Sequence, residues 1–206
     1  MKKIVFVTLM MADDMHKRHF PVDGNSFIEY PGETYYAINS VLAQTMKADD
    51  QIKFVLIQTR GGDNAGPQNI ARFQEEIETL NTCGANLSYE VIASEFVENK
   101  DKFKTLYTKL IKTLENEAEL YADITFGPKS LPLLVFSTMQ FGEKFFDCSV
   151  GNVIYLKGEF KNNQFVEGSQ MIYDFTPLYM LNSFTSTIES SSGETAIAAV
   201  EALFKD

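Results

Sequence analysis

The amino-acid sequence predicts an α/β fold class, in which a mostly parallel sheet carries helices on both faces and ends in a late antiparallel hairpin. Three observations lead to this prediction. Apolar runs rich in β-branched and aromatic residues alternate four times with segments of helical spacing. Each run is nearly continuous, which is typical of parallel strands covered on both faces. After residue 146 the pattern changes to two strand-like segments joined by a polar turn.

The four strand–helix units follow one another in a chain of 206 residues, a length that suits one domain or one domain with a small appendage. The predicted strands are 3–9, 52–59, 86–93 and 119–126, and the predicted helices are 33–47, 68–81, 99–116 and 130–145. Pro67 precedes the second helix and Pro132 falls in the first turn of the fourth, where proline is tolerated. This alternation predicts a Rossmann-like, doubly wound sheet.

The remaining segments complete the expected organisation. Residues 12–32 are polar and broken by proline and glycine, so we predict a long connection there, and such loops are often functional. The late hairpin is predicted from strands 147–160 and 169–175 with a turn at 161–168, and two short helices are predicted at 176–190 and 194–206. We expect a Rossmann-like domain over residues 1–185 and a helical extension over 186–206.

Charge and composition restrict the partners. The formal net charge is −10, and broad binding to DNA or RNA needs a basic face that displaces counterions, so we expect no long nucleic acid as a partner. No run has the length of a membrane span and no signal-peptide cleavage site follows the first run, so we expect a cytoplasmic protein without a membrane partner. Cys83 and Cys148 fit neither a metal pair nor a disulfide framework; we expect free, buried thiols and no metal or cofactor.

A polar turn separates two apolar runs in 121-YADITFGPKSLPLLVF-136. It lies where the fourth strand ends, at the edge where doubly wound sheets bind ligands. A glycine there permits close backbone approach, the first amides of the next helix have no partner within the helix, and Lys129, Thr125 and Ser130 add donors. These groups predict a pocket for a phosphodiester or a similar anion. The structural alternative stays open: Asp123 caps the turn, Ser130 caps the helix and Lys129 is solvated.

Two further polar features fall at the same predicted edge. The turn 59-TRGGDNAG-66 follows the second strand but is neither a dinucleotide fingerprint nor a Walker A loop, so a ligand contact and a simple strand-to-helix turn are both open. The first loop carries 16-HKRH-19, with the only two histidines of the chain. This segment is either a solvated surface patch or a lid that brings positive charge over a bound anion, with His16 or His19 as acid or base.

The segment 123-DITFGPKSLPLL-134 resembles the Asp-Ile-Thr-His-x-x-Arg-Ser-Leu-Pro motif of CRISPR-associated Rossmann fold (CARF) domains. The match lies at the end of the fourth strand, where that family carries the motif. Further similarity is found at 3–10, 35–38, 54–59, 150–160 and 172–181, and most of the chain to about residue 185 is covered. Phe126 and Lys129 stand where the family often has His and Arg, and lysine keeps the charge but loses the bidentate fork. No histidine follows His19, so the Arg-x(4–6)-His motif of an attached HEPN RNase domain is missing.

The resemblance implies a homodimer whose two ligand edges form one cleft for a cyclic oligoadenylate, either tetra- or hexa-adenylate, the second messenger of type III CRISPR antiviral defence. It implies one of two functions: a ring nuclease that cleaves the messenger without metal, or a non-catalytic sensor that regulates a separate effector. The stand-alone length favours the nuclease and the lack of an obvious general base favours the sensor. An unrelated nucleotide-binding domain is a third alternative.

The resemblance and the local chemistry together give the candidate site residues. The candidates for catalysis are Lys129, Ser130, His16 and His19. The candidates for ligand binding are Thr8, Met10, Met11, Thr59, Arg60, Gly61, Gly62, Asp123, Thr125, Phe126, Gly127, Lys129 and Ser130. Lys129 and Ser130 are expected to hold and neutralise a phosphate, while Thr8 and the backbone that follows it are expected to line the floor of the cleft.

Overall fold

A computed structural model of the chain describes residues 1–9, 16–60, 66–95, 99–161, 164–166 and 168–203. The strands are β1 (Lys2–Thr8), β2 (Val22–Asp23), β3 (Gln51–Arg60), β4 (Asn86–Glu95), β5 (Glu119–Asp123), β6 (Ser149–Lys157), β7 (Phe160–Lys161), β8 (Gln164–Phe165) and β9 (Met171–Asp174). The helices are α1 (Ala37–Thr45), α2 (Gly66–Leu80), α3 (Lys100–Ile111), α4 (Leu131–Phe145), α5 (Thr176–Thr187) and α6 (Gly193–Leu203), with a 3-10 turn at Ser26–Ile28.

The main sheet has the strand order β2-β9-β6-β5-β1-β3-β4. β1, β3, β4, β5 and β6 are parallel, and β9 runs antiparallel to β6. From β1 the chain continues to β3 on one side, whereas from β5 it continues to β6 on the other side. The predicted Rossmann-like sheet with a late antiparallel pair is therefore confirmed, and the ends of β1 and β5 form its topological switch point.

Two short pairings lie in segments that the sequence predicts as connections. β2 falls within the predicted loop 12–32 and pairs with β9, with Val22 opposite Ile172. β7 and β8 form a separate two-stranded ribbon; β7 begins at Phe160, the last residue of the predicted strand 147–160, and β8 lies within the predicted turn 161–168. A two-residue strand has no apolar period of its own, so tertiary pairing and not local pattern determines it.

Helices α1 and α2 cover one face of the sheet, and the two helices contact each other. The core on this face contains alternate residues of the strands, including Val5 and Val7 of β1 and Phe54 of β3. Phe73 of α2 packs edge-on against Phe54 and Tyr36, with ring centroids 5.3 and 5.1 Å away. The alternation of side chains along a strand places these residues on a common face.

Helices α3 and α4 cover the opposite face and also contact each other. The intervening strand residues, such as Ile4 and Phe6 of β1, are fully buried there, as are Leu110 of α3 and Val135 and Met139 of α4. Since both faces are covered, the strands read as continuous apolar runs. The expected helices on both faces are confirmed.

The chain divides into two units, Met1–Thr176 and Pro177–Asp206. The expected boundary at residue 185 stays a prediction. Among the described residues of the second unit, three apolar side chains are more than half exposed: Leu178, Met180 and Ile197.

Cys148 is a buried free thiol as expected, but Cys83 is exposed, because it lies in the turn after α2 and not in an element that faces the core. Among the described helices none is long and apolar enough to cross a membrane.

Phe73→Ala should lower the free energy of unfolding by about 3–5 kcal/mol, because it removes a fully buried ring that two other rings contact. Phe27→Ala is the matched control, since the Phe27 side chain is 88% exposed and its removal should change stability by less than about 0.5 kcal/mol. Urea unfolding of both variants measures the difference. Equal effects in the two variants would contradict the described core.

Candidate functional site

The candidate site lies at the switch point, where β1 and β5 end side by side. Val7 of β1 pairs with Asp123 of β5, so Thr8 lies beside the start of the polar turn. The carboxyl ends of these strands, together with the turn into α4, form the edge at which a doubly wound sheet binds its ligand. The geometry of this turn decides which of its groups remain accessible.

Thr8 fixes the entry into α4. Its side chain is buried, and its hydroxyl Oγ1 donates to the Asp123 carbonyl at 3.1 Å and accepts from the Phe126 amide at 3.1 Å. One hydroxyl thereby holds both ends of the segment from 123 to 126. Because the hydroxyl is engaged as donor and acceptor, Thr8 acts within the fold, and its predicted contact with a ligand stays a prediction.

Asp123 joins the turn to the opposite face of the sheet. Its Oδ1 accepts from the Thr125 amide at 2.9 Å, and the carboxyl also receives hydrogen bonds from the Thr125 hydroxyl and from the Ile38 amide in the first turn of α1. Burial raises the pKa of Asp123 to about 6, while these hydrogen bonds act in the other direction. The carboxyl is enclosed and hydrogen-bonded, so it is a structural cap of both the turn and α1.

Thr125 fastens the turn to the neighbouring strand β6. Its Oγ1 accepts from the Leu156 amide at 2.9 Å, and the Ile124 amide donates to the Ile154 carbonyl at 3.0 Å. The pairing between β5 and β6 thus continues past the end of β5. The Thr125 hydroxyl serves this connection and the Asp123 carboxyl, and its predicted ligand contact stays a prediction.

The outer part of the turn is accessible. Gly127 and Lys129 are exposed, and Phe126 and Ser130 are partly exposed. Gly127 has a φ of +98°, and a Cβ on it would lie 3.0 Å from the Leu131 side chain, so both backbone and space favour glycine. The Lys129 ammonium forms no hydrogen bond or ion pair with any residue that the structure describes.

The helix N-terminus offers fewer donors than the sequence suggests. The first amide of α4 has no partner within the helix, as predicted, but it is not free, because the Leu131 amide donates to the carbonyl of Pro128 in the turn at 2.9 Å. Pro132 has no N–H to offer. Ser130 is the N-cap residue, but its side chain makes no capping hydrogen bond to α4. The exposed charged side chain of the turn is therefore Lys129, and the Ser130 side chain beside it is partly exposed.

The segment 16–19 is held by contacts within the fold. Arg18 pairs with Thr34 through two backbone hydrogen bonds of 2.9 and 3.1 Å, and its guanidinium donates to Gln170. The His19 ring lies 3.2 Å from a Glu29 carboxylate oxygen. Because Thr34 precedes α1 and Gln170 precedes β9, the segment lies along the same edge as the turn. Its predicted closure over a ligand stays a prediction.

Four of the predicted ligand-binding residues are not among those that the structure describes: Met10, Met11, Gly61 and Gly62. The backbone at Thr59 and Arg60 forms the end of β3, opposite Ser94 and Glu95 of β4.

Two groups that shape the site are not evident from the sequence. They are the backbone amides of Ile38 and Leu156, which donate to Asp123 and Thr125. Any residue type except proline supplies such an amide, so no residue pattern reveals them. Only the strand order and register bring them to the turn.

The fold is Rossmann-like, and the candidate site is a polar turn at its switch point that Thr8 and Asp123 hold by hydrogen bonds. Comparison with family models and with curated proteins gives no match. Among solved structures, the chain is similar to Csm6 of Enterococcus italicus bound to cyclic hexa-2'-fluoro-hexa-dAMP, with 13% identity and a TM-score of 0.42. The match covers 91% of this chain and 41% of that chain, so this chain spans less than half of its length. A similarity of this degree carries no argument about ligand or activity.

Asp123→Asn tests the buried carboxyl. The pKa of Asp123 is about 6 in the folded chain and near 3.8 when unfolded, so between these values the folded chain holds a proton that the unfolded chain has released. The stability of the parent therefore falls as the pH rises through this range, by about 2–3 kcal/mol in total. The variant has no carboxyl at this position and so does not lose this stability. The difference between the two free energies of unfolding, variant minus parent, should therefore rise by about 2–3 kcal/mol from about pH 4 to pH 7.

Urea unfolding across this pH range measures the Asp123 effect. Asp49→Asn is the matched control, because Asp49 is an exposed carboxylate. The free energy of unfolding of this control should stay within about 0.5 kcal/mol of the parent value, because the substitution is on the surface. A pH-independent difference for Asp123→Asn would contradict the titration described for the buried carboxyl.

Proposed function

We propose that this protein binds a cyclic oligoadenylate at the switch point between β1 and β5, as a cytoplasmic homodimer, and cleaves it as a metal-independent ring nuclease. The observation that carries the proposal is the accessible Lys129 on a turn that Thr8 and Asp123 hold in place from two sides. The similarity of 123-DITFGPKSLPLL-134 to the CARF motif supplies the ligand class.

The local chemistry suits a phosphodiester. Each phosphodiester carries one negative charge, which one ammonium neutralises and one hydroxyl hydrogen-bonds. Lys129 and Ser130 are adjacent on a turn whose backbone is fixed, so little ordering is needed when the ligand binds. The half-buried Phe126 ring offers an aromatic surface on which an adenine base can stack.

A dimer follows from the symmetry of such a ligand. A ring of four or six identical nucleotides has an even-fold axis, and an isologous dimer presents the same turn twice about a two-fold axis. Each copy then supplies one Lys129 to a phosphate on its own side of the ring. A long nucleic acid lacks this symmetry and needs a broad basic face, which a chain of net charge −10 does not favour.

Cleavage needs no group beyond the nucleotide and these side chains. A ribose 2′-oxygen attacks the adjacent phosphorus in line, the bond from phosphorus to the 5′-oxygen breaks, and the products are a 2′,3′-cyclic phosphate and a 5′-hydroxyl. The proton of the 2′-hydroxyl is lost and the 5′-oxygen gains one. Positioning and stabilisation of the developing charge by Lys129 accelerate this step. His16 or His19 is the candidate for proton transfer.

The non-catalytic sensor is the second candidate, and one observation favours it. Asp123 is the only carboxylate or histidine between residues 121 and 136, and its carboxyl is buried and already hydrogen-bonded to Thr125 and Ile38. The turn itself therefore holds no accessible general base. In this alternative the bound messenger acts on a separate effector.

Lys129→Ala should weaken binding of cyclic tetra- or hexa-adenylate by about 1.5–3 kcal/mol per site, the range for a hydrogen bond to a charged group. The fold should survive, because the side chain is exposed. Isothermal titration calorimetry measures affinity together with stoichiometry, and one ring for two chains is expected for the parent. Lys112→Ala is the matched control, since it removes the same charge from an exposed position on α3's C-cap. Unchanged affinity in Lys129→Ala would refute the assignment of this turn.

The parent protein should convert labelled cyclic oligoadenylate to linear products ending in a 2′,3′-cyclic phosphate, with the same rate in the presence of EDTA. Lys129→Ala should slow this by about a hundredfold, comparable to the loss of one charge-stabilising donor. His16→Ala with His19→Ala should slow the conversion, because it removes both candidates for proton transfer. Chromatography of the products over time provides the measurement. Binding without any product would favour the sensor over the nuclease.

A further inference from the structure

A pocket that is separate from the candidate site lies between the start of α1 and the outer side of α2, away from the turn that enters α4. Its volume is about 520 Å³, within the range of small-molecule sites. Lys17, Tyr35 and Arg72 line it together with Glu75 and Glu76. The α2 residues of this set recur at helical spacing and so share one face of that helix.

The floor of the pocket is fixed by Glu76. This side chain is buried, with 5% of the residue exposed. Its carboxylate accepts from the amides of Tyr35 and Tyr36, at 2.6 and 3.1 Å, and from Asn39 Nδ2 at 3.0 Å. Three donors on one carboxylate consume most of its acceptor capacity. Glu76 therefore positions the backbone that carries the Tyr35 ring, and it offers little to a ligand.

Two cations lie over the Tyr35 ring in this pocket. Lys17 Nζ is 5.3 Å from the ring centroid and Arg72 Cζ is 5.4 Å from it. Both distances are within the range of a cation–π contact. The Lys17 ammonium has no hydrogen bond or ion pair with another residue in the described ranges. Burial raises the pKa of the Glu76 carboxyl and the positive charge of Lys17 acts against that rise, so this carboxylate already balances part of the charge. Arg72 Nη1 donates to Asn69 Oδ1 at 3.3 Å, and a phosphate would add a second anionic partner for the two cations.

We infer that this pocket is a binding site for a phosphate-bearing small molecule, held by Lys17 and Arg72 beside the Tyr35 ring. The guanidinium of Arg72 suits a phosphate because its donors form a planar fork. Lys17 adds a point charge from the segment that precedes β2. Tyr35 holds both cations in place, and its own backbone is fixed by Glu76, so the site exists before the ligand arrives.

This inference is independent of the proposed cyclic oligoadenylate site. The pocket lies on α2, which covers the same face of the sheet as α1, whereas the turn with Lys129 enters α4 on the opposite face. The two sites share no side chain. Loss of one should therefore leave the other unchanged, and their separate failures can be distinguished.

Calorimetric titration with inorganic pyrophosphate at low ionic strength tests the inference. The parent should bind pyrophosphate, and Lys17→Ala and Arg72→Ala should each weaken that binding by about fivefold or more, as expected for the loss of a charged hydrogen-bond donor. Lys17→Arg keeps the charge and should retain most of the affinity. Because Lys17 is exposed, its variants should fold as the parent does, and far-ultraviolet circular dichroism verifies this.

Two controls locate the binding. Lys104→Ala removes an equal charge from an exposed position on α3, and Lys129→Ala removes the candidate phosphate ligand of the turn. Lys104→Ala should leave pyrophosphate binding unchanged. Lys129→Ala removes any binding at the turn and should leave the binding that depends on Lys17 and Arg72. Absence of binding at millimolar pyrophosphate would overturn the inference, as would equal losses in Lys104→Ala and Lys17→Ala, or a complete loss in Lys129→Ala alone.

Discussion

The polar turn at the switch point depends on two buried side chains, Thr8 and Asp123. Each holds backbone groups from a separate part of the fold: Thr8 holds the entry into α4, and Asp123 holds the first turn of α1. Successive side chains of a strand point to opposite faces of the sheet, so two residues at the ends of neighbouring strands can face opposite sides of it. A buried carboxylate is tolerated only where hydrogen bonds compensate for lost water, and three donors do so here. The strand ends and both helix starts are thus one connected unit.

This arrangement divides the polar groups of the turn by role. Two polar side chains of the sequence motif form hydrogen bonds to the backbone instead of facing a ligand. They are Asp123, which accepts from the Thr125 amide, and Thr125, which accepts from the Leu156 amide. The accessible groups, Lys129 and Ser130, lie on the part of the turn that those hydrogen bonds support. A charged group that has no partner among the described residues and is carried on a fixed backbone is suited to bind an anion, because little of the fold must reorganise. The same division leaves the turn without a free base, so any proton transfer must come from outside it.

The fold was predictable to a greater extent than the site. Continuous apolar strands separated by amphipathic helices are recognisable without a structure, but the register of β1, β3 and β5 is not, because both faces of these strands are apolar. β2 was not predictable, since two residues carry no period and Val22 is placed by Ile172, which is 150 positions away. For the site, the sequence indicated the turn itself, but it did not separate inward from outward groups. That separation depends on the amides of Ile38 and Leu156, and an amide carries no residue signature. Tyr35 and Arg72 likewise read as ordinary helix-surface residues until α1 and α2 are packed together.

An acidic chain can hold two anion sites because charge acts locally in salt solution. At physiological ionic strength exposed charges further apart than about 8 Å are largely screened, so the net charge of −10 is felt weakly at Lys129 or Lys17. A compact phosphate meets only the charges close to it, which are Lys129 at the turn and, in the α2 pocket, Lys17 and Arg72 together with the carboxylates of Glu75 and Glu76. A long polyanion meets the whole acidic surface and gains too few cations to release its counterions. At the two proposed sites this charge distribution therefore favours small phosphate compounds over nucleic acid polymers.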